Sequence, residues 1–219
     1  MFKRIKLLFR ISWHLFKVYL QMLYGAWKIA KLDNPIVTIF GGARFKIDDP
    51  YAVLAQQLAA KFVIAGVSVV TGGSTGIMEA VGYGATMAKD AKGKSIGIGV
   101  RDLGDGKNQY VSEYVELNYF FARKWLLTRF SRAFVVFPGG FGTLDEMSEV
   151  ITLIQTKHMR CVPIVLVGVE YWQPWFEWVQ TEALKHGAVT QSEVDLFFIT
   201  DDMEKAFNVI YQQCNIEQK

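Results

Sequence analysis

The stretch that decides the fold is AFVVFPGGFGTLDE, residues 133–146. Ala133–Phe137 is a continuous apolar run, the pattern of a strand buried on both faces. Gly139, Gly140 and Gly142 break the run, and a helix follows to about Lys157, with Thr143 and Glu146 just inside it. A helix N-terminus leaves backbone N–H groups unpaired and carries a partial positive charge. Glycines let the main chain come close to an anion. Together these features make a phosphate cradle, to which the Thr143 hydroxyl adds a donor. Thr143 and Glu146 also fit the T-x-x-E capping box, in which both side chains serve the helix itself. A capping box does not require three glycines upstream, so a ligand is favoured, with Glu146 facing a bound phosphorylated sugar.

The same alternation extends in both directions. Ile36–Phe40, VSVVTGG (67–73), KSIGIGV (94–100), EYVELN (113–118), VPIVLVG (162–168) and LFFIT (196–200) are further strand candidates. Helical stretches lie between them at 51–65, 74–91, 119–131 and around 172–187, with a last helix from about Asp202. Strand–helix alternation predicts an α/β fold, a doubly wound and mostly parallel Rossmann-like sheet. Ligands bind such sheets beyond the carboxyl ends of the strands. Three strands end in glycine pairs, Gly41-Gly42, Gly72-Gly73 and Gly139-Gly140, and these loops are expected to share one rim. TGGSTG offers Gly72, Gly73, Ser74, Thr75 and Gly76 as a second anion loop. Neither loop is GxGxxG and neither carries a P-loop lysine, so dinucleotide and triphosphate sites are weak readings.

Arg123 and Lys124 sit in FFARKW, on the helix that leads into strand 133–137. Either they are exposed helix cations or Arg123 reaches the rim. As a partly exposed cation, Arg123 would contribute little to folding.

The chain has 219 residues, 51% of them hydrophobic, enough for one large domain with a core, or a domain with an extension. Cys161 and Cys214 are too few for a disulfide framework, which points to a reducing, cytoplasmic compartment. His14, His158 and His186 lie far apart, so no metal site is expected. The net charge of +3 is uneven. Residues 1–31 hold seven of the 24 Lys and Arg and none of the 21 Asp and Glu. The remainder is mildly acidic, which does not suit a nucleic-acid surface. Residues 1–33 therefore form a basic helical arm, and residues 34–219 one body. Three readings of the arm stand: a helix packed on the body or on another subunit, an interfacial helix on an anionic membrane surface at the inner face of the membrane, or a spanning anchor. Its longest stretch without Lys or Arg, Val18–Trp27, falls short of the roughly 20 apolar residues that span a bilayer.

PGGFGTLDE resembles the PGGxGTxxE signature of the LOG ("Lonely Guy") family of nucleotide phosphoribohydrolases, long mislabelled as lysine decarboxylases. VTIFGGARF, TGGSTGIMEAVGYGA, YFFARKW and FVVFPGGFGTLDEMSEVITLIQT stand in the family's order, most like its bacterial type II branch. The resemblance covers about residues 35–210. It implies cleavage of the N-glycosidic bond of nucleoside 5′-monophosphates, AMP or cytokinin ribotides, to free base and ribose 5-phosphate. It also implies a homodimer or larger assembly with sites near a subunit interface. By resemblance the essential residues are Arg123 and Glu146. The phosphate loop is Gly139, Gly140, Gly142 and Thr143, with Lys124 and Thr152 as neighbouring contacts. The second loop departs from the branch's GGGPGIMEA, because Ser74 replaces a glycine and Thr75 a proline. The decarboxylase label finds no support, since that chemistry needs a lysine forming a Schiff base with pyridoxal phosphate.

Glycosidic cleavage passes through an oxocarbenium-like state. Glu146 would stabilise that charge, and Arg123 would orient the nucleotide or help the departing base; no metal or cofactor is called for. The rivals are a nucleotide carrier of the same fold that does not cleave, and a membrane-tethered assembly protein whose function is the arm.

Overall fold

A computed structural model describes residues 2–32, 35–101 and 106–216. Among them, seven strands form one sheet: β1 (Ile36–Phe40), β2 (Ser68–Thr71), β3 (Ser95–Val100), β4 (Glu113–Leu117), β5 (Ala133–Val136), β6 (Ile164–Val167) and β7 (Phe197–Thr200). Their order is β4-β3-β2-β1-β5-β6-β7, and every pairing is parallel. The five inner strands are buried along their whole length, which is why their sequences read as unbroken apolar runs. The edge strands β4 and β7 are only partly covered.

Helices lie on both faces. They are α1 (Phe2–Ala30), α2 (Pro50–Ile64), α3 (Ile77–Met87), α4 (Phe120–Arg129), α5 (Phe141–Gln155), α6 (Val169–Trp178), α7 (Gln191–Val194) and α8 (Met203–Ile216). Leu58 and Phe62 of α2, Ile77 and Ala80 of α3, and Ala206 and Ile210 of α8 pack on Val37, Ile39, Val135 and Val165. On the other face Leu126 and Leu127 of α4, Met147 and Val150 of α5, and Trp172 of α6 pack on Ile36, Phe40, Ile98 and Phe134. The alternate residues of β1 thus serve two separate cores.

Two boundaries and one element differ from the sequence expectation. The helix expected from Ser74 begins at Ile77, because Gly76 holds φ at 68° and a Cβ there would strike the Gly42 carbonyl. The helix around 172–187 begins earlier, at Val169 after Gly168 at φ 107°, and runs into a π-helical turn at Val179–Ala183. The short α7 was not anticipated, although Thr190 and Glu193 form a capping box at its start.

The arm is one continuous helix. Its C-terminal half packs on the body, with Val18, Gly25 and Ile29 buried. A side chain at position 25 would overlap Leu126 of α4. Lys28 Nζ pairs with Glu113 Oε2 of the edge strand at 2.9 Å.

Candidate active site

Strands β1 to β4 run outward in one direction, and β5 returns to the other side of β1. The chain therefore reverses between β1 and β5, and a crevice opens beyond their carboxyl ends. Hydrogen bonds join the three glycine loops there. Gly42 N donates to Pro138 O at 2.9 Å, and Ile77 N donates to Gly42 O at 3.0 Å. Thr75 Oγ1 donates to Ala43 O at 2.9 Å. The rim expected from the three glycine pairs is one connected structure.

Two residues outside the sequence motifs brace it. Asn108 donates from its main chain to Gly73 O and from Nδ2 to Ser74 O, both at 2.9 Å. Tyr171, from α6, donates its hydroxyl to Gly139 O at 2.6 Å. Both contacts join residues more than 30 positions apart, and no local pattern marks either one.

The rim glycines fall into two sets. A Cβ at Gly41 would strike Ile77, at Gly42 Phe45, at Gly72 the Arg123 guanidinium, at Gly73 Tyr114 and Gly97, and at Gly139 Thr143. The fold itself requires Gly41, Gly42, Gly73 and Gly139, whereas at Gly72 only the movable ends of Arg123 and Met78 stand in the way. Around Gly140 and Gly142 a Cβ would meet nothing within 4 Å. Gly142 lies in the first turn of α5, where glycine costs up to about 1 kcal/mol relative to alanine. The chain accepts that cost at a position where its own packing gains nothing.

The capping-box reading of Thr143 and Glu146 is overturned. The N-cap of α5 is Gly140, and no side chain caps the helix. Thr143 is the third helical residue and Glu146 the sixth, so neither holds the position that a capping box needs. Thr143 is buried, with its hydroxyl against Gly139. In the second loop, neither Ser74 nor Thr75 caps α3. Thr75 is spent on Ala43, whereas Ser74 Oγ is buried without a hydrogen-bond partner.

Glu146 instead meets Arg123. Arg123 Nη2 lies 3.1 Å from Glu146 Oε1, and each side chain is 12% exposed. Arg123 Nε donates to Ile98 O, in the second half of β3, at 3.0 Å. Arg123 is therefore not the partly exposed cation inferred from its helix; it is folded inward over Gly72. Burial pushes the Glu146 carboxyl above the usual glutamate value of 4.5, and the Arg123 charge opposes that shift.

Lys124 also reaches α5. It pairs with Asp145 at 2.9 Å and Glu149 at 3.0 Å, tying α4 to α5. Burial alone would lower its pKa, but the two carboxylates hold it above the ordinary lysine value. Thr152 is not brought to the rim: it is exposed two turns further along α5, and its hydroxyl donates to Ser148 O at 2.8 Å.

Residues 78–210 match the model of the family described as "Possible lysine decarboxylase". A phosphoribohydrolase of cytokinin riboside 5′-monophosphate from Arabidopsis thaliana, LOG5, is 28% identical over 173 residues, covering 78% of this chain and 74% of that protein. The protein of that activity from Rhodococcoides fascians is 25% identical over 178 residues, covering 80% and 88%. LOGL9 of Oryza sativa subsp. japonica, named a probable enzyme of this kind, is 31% identical over 170 residues, covering 76% and 73%. Among solved structures, the molybdenum cofactor binding protein of Rippkaea orientalis superposes with a TM-score of 0.60 at 20% identity, over 82% of this chain and 96% of that one. The molybdenum cofactor carrier protein of Chlamydomonas reinhardtii gives 0.59 at 20% identity, over 82% and 98%. These two share the fold. The family model and the sequence relatives go further, and by them the chain belongs to the LOG family.

Proposed function

We propose that the protein hydrolyses the N-glycosidic bond of nucleoside 5′-monophosphates, releasing the free base and ribose 5-phosphate. The observation that carries this reading is the uncapped N-terminus of α5. Gly140 and Gly142 leave it open, and Glu146 stands on the same helix one turn further in. A 5′-phosphate at that N-terminus takes the unpaired N–H groups and the positive end of the helix dipole. The buried Ser74 hydroxyl, with no partner in the chain, is a further donor from the neighbouring loop.

With the phosphate held there, the ribose lies toward Glu146. The C1′–N bond breaks, its electron pair leaves with the base, and positive charge develops on C1′ and the ring oxygen. Glu146 stabilises that charge. It also orients the water whose oxygen bonds to C1′ and whose proton passes through the carboxylate toward the base. Arg123 opposes the burial shift of the carboxyl and holds it aimed, and its fork reaches the base side from α4. The sequence relatives are named for this reaction on cytokinin riboside 5′-monophosphate; the substrate of this chain is read as AMP or a cytokinin riboside 5′-monophosphate.

Pyridoxal phosphate, which a lysine decarboxylase would use, does not fit these residues. A Schiff-base lysine must give up its proton, and Lys124 is held protonated by two carboxylates. A carrier built on the same sheet would use the phosphate loop but gains nothing from a buried carboxylate beside an arginine. Phe141, 91% exposed, and the exposed Phe120 and Phe121 flank the rim, which suits a homodimer or larger assembly closing near the site. A screen of nucleoside monophosphates for free base and ribose 5-phosphate tests the reading. Binding without release of either product would favour the carrier.

A further inference from the structure

Every residue from Phe2 to Lys17 is exposed, and Val18 is the first that the body buries. At 1.5 Å per residue, roughly 24 Å of helix stands clear of the sheet. Ile5, Phe9, Phe16, Leu20, Leu23 and Trp27 recur at steps of three, four and seven, so they form one stripe along the helix. All six are exposed. The stripe continues past the point where Val18, Gly25 and Ile29 hold the opposite side on α4 and β4, so the body fixes the helix with its apolar stripe facing outward. A contiguous row of exposed apolar side chains marks an interaction surface.

Charge identifies what covers it. Residues 2–31 contain seven cations and no acid, and Lys28 alone of these has an ion pair with the body among the described residues. Lys3, Lys6, Arg10 and Lys17 share one side of the helix, next to the stripe. Lys17 lies over the Trp13 ring at 5.4 Å and Lys31 over Trp27 at 3.4 Å, the pairing of aromatic body and cationic tip that suits a headgroup layer. A second arm would bring the same positive charge and repel the first. No helix of the described residues is long and apolar enough to cross a membrane.

We propose that α1 lies in the plane of an anionic lipid surface. The Ile5–Trp27 stripe sits at the acyl boundary, and Lys3, Lys6, Arg10 and Lys17 sit among the headgroups. The test is flotation of the full-length protein with vesicles of phosphatidylcholine, with and without phosphatidylglycerol. The protein should float with the anionic vesicles only, and less so as salt rises from about 0.1 M to about 1 M, where the Debye length falls from about 10 Å to about 3 Å. Replacing Lys3, Lys6, Arg10 and Lys17 by Glu, at positions that touch nothing in the body, should abolish flotation without changing the melting temperature. Equal flotation with neutral vesicles would overturn the anionic assignment. No flotation, with an assembly that becomes smaller when residues 2–17 are deleted, would show the stripe to be a subunit interface instead.

Discussion

Arg123 Nη2 stands 3.1 Å from Glu146 Oε1, with both side chains nearly buried, joining α4 to α5 beside the glycine loop that follows β2. Removing one partner of a buried pair strands the other, at a cost of about 3 kcal/mol. Arg123→Met should therefore lower stability as well as activity. The loss should depend on pH with a definite sign. Burial already places the folded-state pKa of Glu146 above its unfolded value, and losing Arg123 raises it further. Such a group contributes stability below about 4.5, and that contribution is lost as pH rises through the folded value. Urea unfolding should show a small deficit for the variant in acid that widens toward neutrality. A deficit independent of pH would mean that Arg123 contributes by packing alone.

Glu146→Gln keeps the side-chain size and removes the charge. Turnover should fall by about two orders of magnitude or more while nucleotide binding persists. The acid limb of kcat/KM in the unmodified enzyme should lie above 4.5, the direction in which burial pushes this carboxyl. Arg123→Met should move whatever limb remains still higher. Near-normal turnover by the Gln variant would remove Glu146 from the chemistry.

Gly142→Ala separates fold from function. With nothing within 4 Å of the added methyl in the first turn of α5, the variant should be more stable, by up to about 1 kcal/mol. It should nevertheless bind nucleoside monophosphates more weakly, because the methyl occupies the approach to the helix N-terminus. Thermal melts and KM, measured on the same preparation, check both halves. A stabilised variant with unchanged KM would mean that the phosphate lies elsewhere.

Gly72→Ala acts through another residue. Its methyl would collide with the Arg123 guanidinium and crowd Met78. The expected loss is in kcat, with the phosphate contacts and hence KM little affected. A crystal structure of the variant should show Arg123 displaced from Glu146; an intact pair with reduced kcat would contradict this role for Gly72.

The sheet was legible in the sequence because its inner strands are buried on both faces, so that IVTIF and SIGIGV appear as unbroken apolar runs. The rim was legible because glycine pairs end the neighbouring strands β1, β2 and β5. T-x-x-E looks the same whether or not it begins a helix, so the sequence left the capping box open beside the ligand reading. Gly140 starts the helix three residues before Thr143, and that places Glu146 opposite Arg123. The resemblance grouped Lys124 with the ligand contacts, but two carboxylates on α5 occupy it, and their effect depends on how α4 lies against α5. The bracing by Tyr171 and Asn108 depends on tertiary approach and leaves no periodic trace.

The most direct test of the account compares a nucleoside 5′-monophosphate with its nucleoside, AMP against adenosine, following the free base released from each and the sugar left behind, ribose 5-phosphate from AMP and ribose from adenosine. If the N-terminus of α5 holds the phosphate and Glu146 faces the sugar, AMP should yield both products in equal amounts, with kcat/KM far above that for adenosine, because remote binding energy positions the ribose. Equal kcat/KM for the two, or AMP bound with no base released, would contradict it.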